Sequence, residues 1–145
     1  MHRMIKAALT AGLSLAAAPV LAQASSYLPG SVWQVSDIKT EPGQFENYID
    51  YLGGNWRKEL EYQKKLGYVL SYHVFAVNSP RRDEPDLILA VEYKDYVPNA
   101  EQLAIQKKIE AMMQEDAHKS DSASGERKSM RTTLGSMELQ ELKLK

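Results

Sequence analysis

Tyr68-Val69-Leu70-Ser71-Tyr72-His73-Val74-Phe75-Ala76-Val77 and, nine residues on, Leu87-Ile88-Leu89-Ala90-Val91-Glu92-Tyr93 are the two runs that decide the fold. Both are dense in β-branched and aromatic residues, and the segment between them is rich in proline and charge (Pro80, Arg81, Arg82, Asp83, Glu84, Pro85). They read as antiparallel strands two and three of a hairpin with a long, solvated loop.

Working outward, Phe45, Ile49, Leu52, Trp56 and Leu60 recur every three or four residues between Gln44 and Leu66, the period of one helix face. Gly67 stops this helix, and Gly53-Gly54 in its middle invites a kink or a close backbone approach. Before it, Val32 to Ile38 reads as strand one, closed by the breaker cluster Glu41-Pro42-Gly43. Beyond the hairpin, a second helix runs from Pro98-Asn99 to about Asp116, with Ile105, Ile109, Met112 and Met113 on one face. His118 to Ser129 is polar and serine-rich and reads as a mobile loop, with a short helical turn from Glu126 to Thr133 ending at Gly135. In Ser136 to Lys145, Met137 and Leu139 alternate, then Leu142 and Leu144 alternate one residue out of phase. A bulge near Gln140-Glu141 would bring all four to one face of strand four.

The order β-α-β-β-α-β is an α+β, ferredoxin-like arrangement: a four-stranded antiparallel sheet with two helices on one face. The other face is then bare. Strand two splits into Leu70, Tyr72, Val74 and Ala76, assigned to the helix side, and Val69, Ser71, His73, Phe75 and Val77, assigned to the bare side. Strand three splits into Leu87, Leu89, Val91 and Tyr93 against Ile88, Ala90 and Glu92. An apolar sheet face left open marks an interaction surface.

With that element order, with Tyr48-Ile49-Asp50-Tyr51-Leu52 followed by Trp56-Arg57, and with the run Leu87 to Tyr93, the chain over residues 31–145 resembles the dimeric α/β-barrel superfamily, in particular its small exported members of unknown role. The resemblance implies a homodimer whose two sheets face each other around an enclosed space. The superfamily contains cofactorless monooxygenases, dehydratases, haem-handling enzymes and proteins without known activity, so the fold alone assigns no chemistry.

Residues of the bare face are the candidate site: Ser71, His73, Phe75, Glu92 and Trp33 as ligand contacts, with His73 and Glu92 as a candidate base and its orienting acid. A hairpin register pairing Val77 with Ile88 would set His73 opposite Glu92, the arrangement a general base needs. Tyr48, Tyr51, Asn55 and Tyr62 fall away from the apolar stripe of the first helix, toward solvent, a dimer edge or a cleft, with Arg57 and Arg131 the nearby cations of interest. No spacing motif for a metal or haem, no glycine-rich phosphate loop, no nucleophile elbow and no HExxH occurs, and no cofactor is expected.

At the start of the chain, His2, Arg3 and Lys6 precede an apolar run from Ala7 to Val20 that ends at Ala22-Gln23-Ala24. A basic flank, a short apolar core and small residues at −3 and −1 describe a signal peptide over residues 1–24, cleaved after Ala24, with one domain over 25–145. The run is shorter than the roughly 20 residues a bilayer span needs, and no other stretch is a membrane candidate. An alanine-rich core ending in Ala-Gln-Ala points to the periplasm first and secretion second. The chain has no cysteine, so lipid attachment at cysteine, disulfides and thiolate metal sites are excluded. Without Arg3 and Lys6, 16 basic residues face 19 acidic ones, a net charge of −3 with no basic footprint for nucleic acid.

Three readings stand on the sequence. The first is an exported homodimer holding a small apolar or aromatic ligand between its sheets. The second is a cofactor-independent enzyme, monooxygenase- or isomerase-like, with His73 as base. The third is a structural or interaction module of the cell envelope.

Overall fold

A computed structural model describes residues 24–145, so the expected export segment up to Gln23 lies outside the described residues. The strands are β1 (Tyr27–Thr40), β2 (Val69–Ala76), β3 (Leu87–Tyr93) and β4 (Arg131–Leu144). They form one four-stranded antiparallel sheet in the order β2-β3-β1-β4. The fold is α+β, with the helices packed on one side of the sheet.

The first helix is continuous but not uniform: α1 (Phe45–Tyr51), a π-helical turn (Leu52–Trp56) and α2 (Arg57–Lys65). The residues it turns to the sheet are Tyr48, Leu52, Trp56 and Leu60, spaced by fours. In a regular α-helix a step of four overshoots a full turn by about 40°. A widened turn absorbs that drift and keeps all four on the sheet. It falls on Gly53 and Gly54, where a Cβ would meet nothing within 4 Å, so the glycines mark a change of helical pitch rather than a close backbone approach. Tyr48, expected on the outer side, is instead among the most buried residues, while Phe45 of the expected stripe is exposed. Gly67 ends the helix at φ +84°, a left-handed conformation that costs other residues about 1 kcal/mol or more.

Two helices were expected and three are present, because the segment expected as a mobile loop folds. After α3 (Asn99–Met113), whose last turn closes on Gln114 at φ +57°, Asp116 accepts a 2.8 Å hydrogen bond from the Lys119 amide and caps α4 (Ala117–Glu126). The aspartate cap starts the helix despite a serine- and glycine-containing interior that reads as loop. The turn expected over 126–133 shrinks to Arg127–Ser129, and Gly135 lies within β4, opposite Asp37.

Three irregularities set which side chains reach which face. In β2, Val69 pairs with Tyr93 but Ser71 pairs with Glu92, leaving Leu70 as an inserted residue. This bulge reverses the expected facing of its neighbourhood: Val69 is buried against Leu60 and Val91 beneath the helices, and Leu70 is exposed. In β1, two residues, Gly30 and Ser31, lie opposite Glu141. The bulge expected near Gln140-Glu141 is therefore in the partner strand. Alternation along β4 runs unbroken from Leu139 to Leu142, so Leu142 and Leu144 lie on the opposite face from Met137 and Leu139. Leu134 is the third inserted residue, between the Ile38 and Asp37 pairings.

Two buried clusters lie between helices and sheet. Ile38, Tyr48, Leu52, Leu87 and Leu89 form one, and Leu60, Val69 and Val91 form the other. Asp86 ties the hairpin loop to β1: its carboxylate accepts from the Thr40 amide at 2.8 Å and from Lys39 Nζ at 2.9 Å. Burial works against the ionised form, but these bonds prevail and hold its pKa below the usual carboxylate value.

Candidate functional site

The helix-free face of the sheet carries the expected candidate residues in two adjoining groups. The first is a stack of rings across β1 and β2. The Trp33 ring lies 6.2 Å from His73 at an interplanar angle of 20°, and His73 lies 5.7 Å from Phe75 at 23°. Offset-parallel rings at such distances attract one another beyond their buried area. The outer ring, Phe75, is 51% exposed, and Met137 and Leu139 on β4 are 49% and 46% exposed on the same face. Val35 and Ile88 lie between, so an apolar belt crosses all four strands with no helix of the described residues over it.

The second group is polar and sits where two bulges meet. Glu92 accepts a 2.6 Å bond from Ser71 Oγ on one oxygen and a 2.8 Å bond from Ser31 Oγ on the other. The bulge at Leu70 brings Ser71 opposite Glu92, and the bulge at Gly30-Ser31 presents Ser31. The two hydroxyls, Ser71 first, favour the charged carboxylate and lower its pKa against the opposing pull of burial. Glu141 approaches from β4, at 3.4 Å from the Ser31 amide and 3.8 Å from Lys143 Nζ.

The expected pairing of His73 with Glu92 does not form. The hairpin closes two residues away from the expected register, with the Val77 amide bonded to the Asp86 carbonyl, so His73 stands opposite Ala90 and Ser71 opposite Glu92. His73 shares the face of Glu92, but both carboxylate oxygens accept from serines and, among the described residues, no side-chain hydrogen bond orients the imidazole. His73 stacks between the Trp33 and Phe75 rings.

On the helix side, the aromatic residues of the first helix meet the cations that follow α4. Tyr48 and Tyr51 stack at 5.7 Å, the Arg131 guanidinium lies 5.9 Å from the Tyr48 ring, and that of Arg127 lies 5.1 Å from the Tyr51 ring. Burial raises both phenol pKa values, opposed by Arg131 at Tyr48 and by Arg127 at Tyr51. The Arg131 Nε is buried without a hydrogen-bond partner among the described residues. Arg57, the other expected cation, is exposed and away from this cluster.

One feature of this side was not singled out from the sequence. Glu59 projects from α2 with its pKa raised, first by burial and then by Glu115, while Arg127 acts in the opposite sense without forming an ion pair within 4 Å. Gln63, one turn on, is 8% exposed, and its amide reaches Glu59 only at 3.4 Å. Tyr93 lies close enough for Glu59 to add to the burial that raises its phenol pKa. The signal was legible as Tyr51, Asn55, Glu59 and Gln63, a second stripe spaced by fours beside the apolar one.

Comparison with protein-family models, with curated proteins and with solved structures finds no match. Among the described residues, no group of three or more His, Asp or Glu side chains is arranged to hold a metal ion, and no helix is long and apolar enough to cross a membrane.

Proposed function

We propose that this chain is an exported homodimeric binding protein, built as a ferredoxin-like unit whose open sheet face pairs with a second copy and holds a small apolar or aromatic ligand between the two faces. The observation that carries this reading is the Trp33–His73–Phe75 stack, with His73 and Phe75 exposed among apolar side chains on a face that no helix of the described residues covers. A contiguous apolar patch of that kind is uncommon on a protein that stays monomeric. Its occupant is a second copy because the belt is apolar across its centre while Glu92, Glu141 and Lys143 gather at one end, a pattern that meets itself under two-fold rotation without burying unpaired charge. The strand order and the position of the helices support the ferredoxin-like assignment. The basic, apolar and Ala-Gln-Ala pattern of residues 1–24 supports export to the periplasm or beyond, with Ser25 as the mature N-terminus.

In this reading Trp33, His73 and Phe75 supply a flat aromatic surface, and Ser71 and Glu92 supply polar groups at its edge. Titration with 1-naphthol tests it, because a planar aromatic bound on the stack changes the fluorescence of Trp33. The expected result is a saturable change that disappears in Trp33→Phe, leaving the Trp56 signal alone. No saturable change in the wild-type protein would reject the ligand and leave the paired face as an interaction surface only.

A further inference from the structure

On the opposite side of the sheet from the proposed ligand face, a cavity of ≈ 250 Å³ opens between the sheet and α3. Val32 and Tyr93 form its floor, Glu59 and Gln63 of α2 one wall, and Ile105 and Ile109 of α3 its roof. This is the size of a metabolite rather than of a large cofactor. Its charge is one-sided: Glu59, Asp95 and Glu138 line it, and no lysine or arginine among the described residues does. Three tyrosines, Tyr68, Tyr93 and Tyr96, contribute ring surface.

Two polar side chains of α2, Glu59 and Gln63, line it side by side. Gln63 is more than nine-tenths buried, and its NH₂ donates a 3.4 Å hydrogen bond to Glu59 Oε1. Among the described residues, the Glu59 carboxylate has no cation within 4 Å. A carboxylate and an amide carbonyl one helical turn apart, beside tyrosine rings, present acceptors and π-faces together. That combination is complementary to an ammonium group, which donates up to three hydrogen bonds and is attracted to ring faces. The apolar roof and floor suit a hydrocarbon body behind the charge.

We propose that this cavity binds a small primary amine with an apolar body, its ammonium held by Glu59 and Gln63 and its hydrocarbon part between Val32, Ile105 and Ile109. Anions are disfavoured by the three carboxylates. The site is separate from the stack on the open face and does not depend on pairing of two copies.

Calorimetric titration of the purified protein with 2-phenylethylamine and with its neutral counterpart 2-phenylethanol tests the inference. The amine is expected to bind and the alcohol to bind at least ten-fold more weakly. Glu59→Gln, which keeps side-chain shape, is expected to lower amine affinity at least ten-fold without lowering the thermal midpoint, and Gln63→Leu is expected to weaken it as well. Phe75→Asp, which disrupts the open face, is expected to leave amine affinity unchanged, so that failure of the homodimer reading is distinguishable from failure of this one. Equal binding of amine and alcohol, amine binding indifferent to Glu59→Gln in a folded variant, or absence of amine binding would overturn the assignment.

Discussion

The two faces of the sheet differ in what completes them. Beneath the helices, Leu87, Val69 and Tyr48 are almost fully buried and the first helix alters its own pitch to keep Tyr48, Leu52, Trp56 and Leu60 in contact. On the other face, Phe75, Met137 and Leu139 are about half exposed, although they are as apolar as the residues beneath the helices. Each face also carries a glutamate in an opposite electrostatic setting. Glu92 is stabilised as an anion by the Ser71 and Ser31 hydroxyls, whereas Glu59 is disfavoured as an anion by burial. The helix side holds the stability of the single chain, while the open side is the surface that the proposed pairing would use.

Truncation on the two sides should separate these roles most sharply. Tyr48→Ala removes a buried ring that packs on Leu52 and Leu87 and is expected to cost about 3–5 kcal/mol in a denaturant titration. Phe75→Asp on the open face is expected to change the stability of the diluted single chain by no more than about 0.5 kcal/mol, the range for a surface substitution, while abolishing pairing. A loss at Phe75 as large as that at Tyr48 would erase the distinction between the faces. Between these extremes, Gly67→Ala is expected to cost about 1 kcal/mol because it forces a Cβ into a left-handed conformation, with no effect on association.

The smallest effects lie in pH dependence, and the two glutamates should run in opposite directions. Glu59 has a raised pKa, so its native state holds the proton longer than the unfolded chain does. Its stabilising effect is fully present below the ordinary carboxylate value of about 4.3 and is lost as pH rises through the folded value. Glu92 has a lowered pKa, so its effect is present above about 4.3 and is lost as pH falls through the folded value. Melting curves across pH should therefore show Glu59→Gln removing a loss of stability on the neutral side, and Glu92→Gln flattening the acid limb. The same sign in both variants would contradict the assigned environments.

Much of this was legible in the residues. The dense runs 68–77 and 87–93, the stop at Gly67 and the periodic apolar positions locate the hairpin and the first helix because each signal is local. The open face was legible for the same reason: alternation in β3 sends Leu87, Leu89 and Val91 inward and Ile88, Ala90 and Glu92 outward. What the pattern did not carry was phase. An inserted residue at Leu70 exchanges the facing of Val69 and Leu70, a hairpin closing two residues from the expected register moves His73 opposite Ala90, and a π turn over Gly53 and Gly54 brings Tyr48 into the core. Each is a shift of one or two residues, which leaves composition unchanged and alters every contact downstream. The helix at Ala117–Glu126 escaped for a different reason, since a single aspartate cap outweighs a loop-like composition.

Sedimentation equilibrium of the wild-type protein beside Phe75→Asp tests the pairing of open faces most directly. Twice the mass of the chain for the wild type and the mass of a single chain for a folded Phe75→Asp is the expected result. A wild-type protein that stays at the mass of one chain at high micromolar concentration, or a variant that associates as strongly as the wild type, would contradict it.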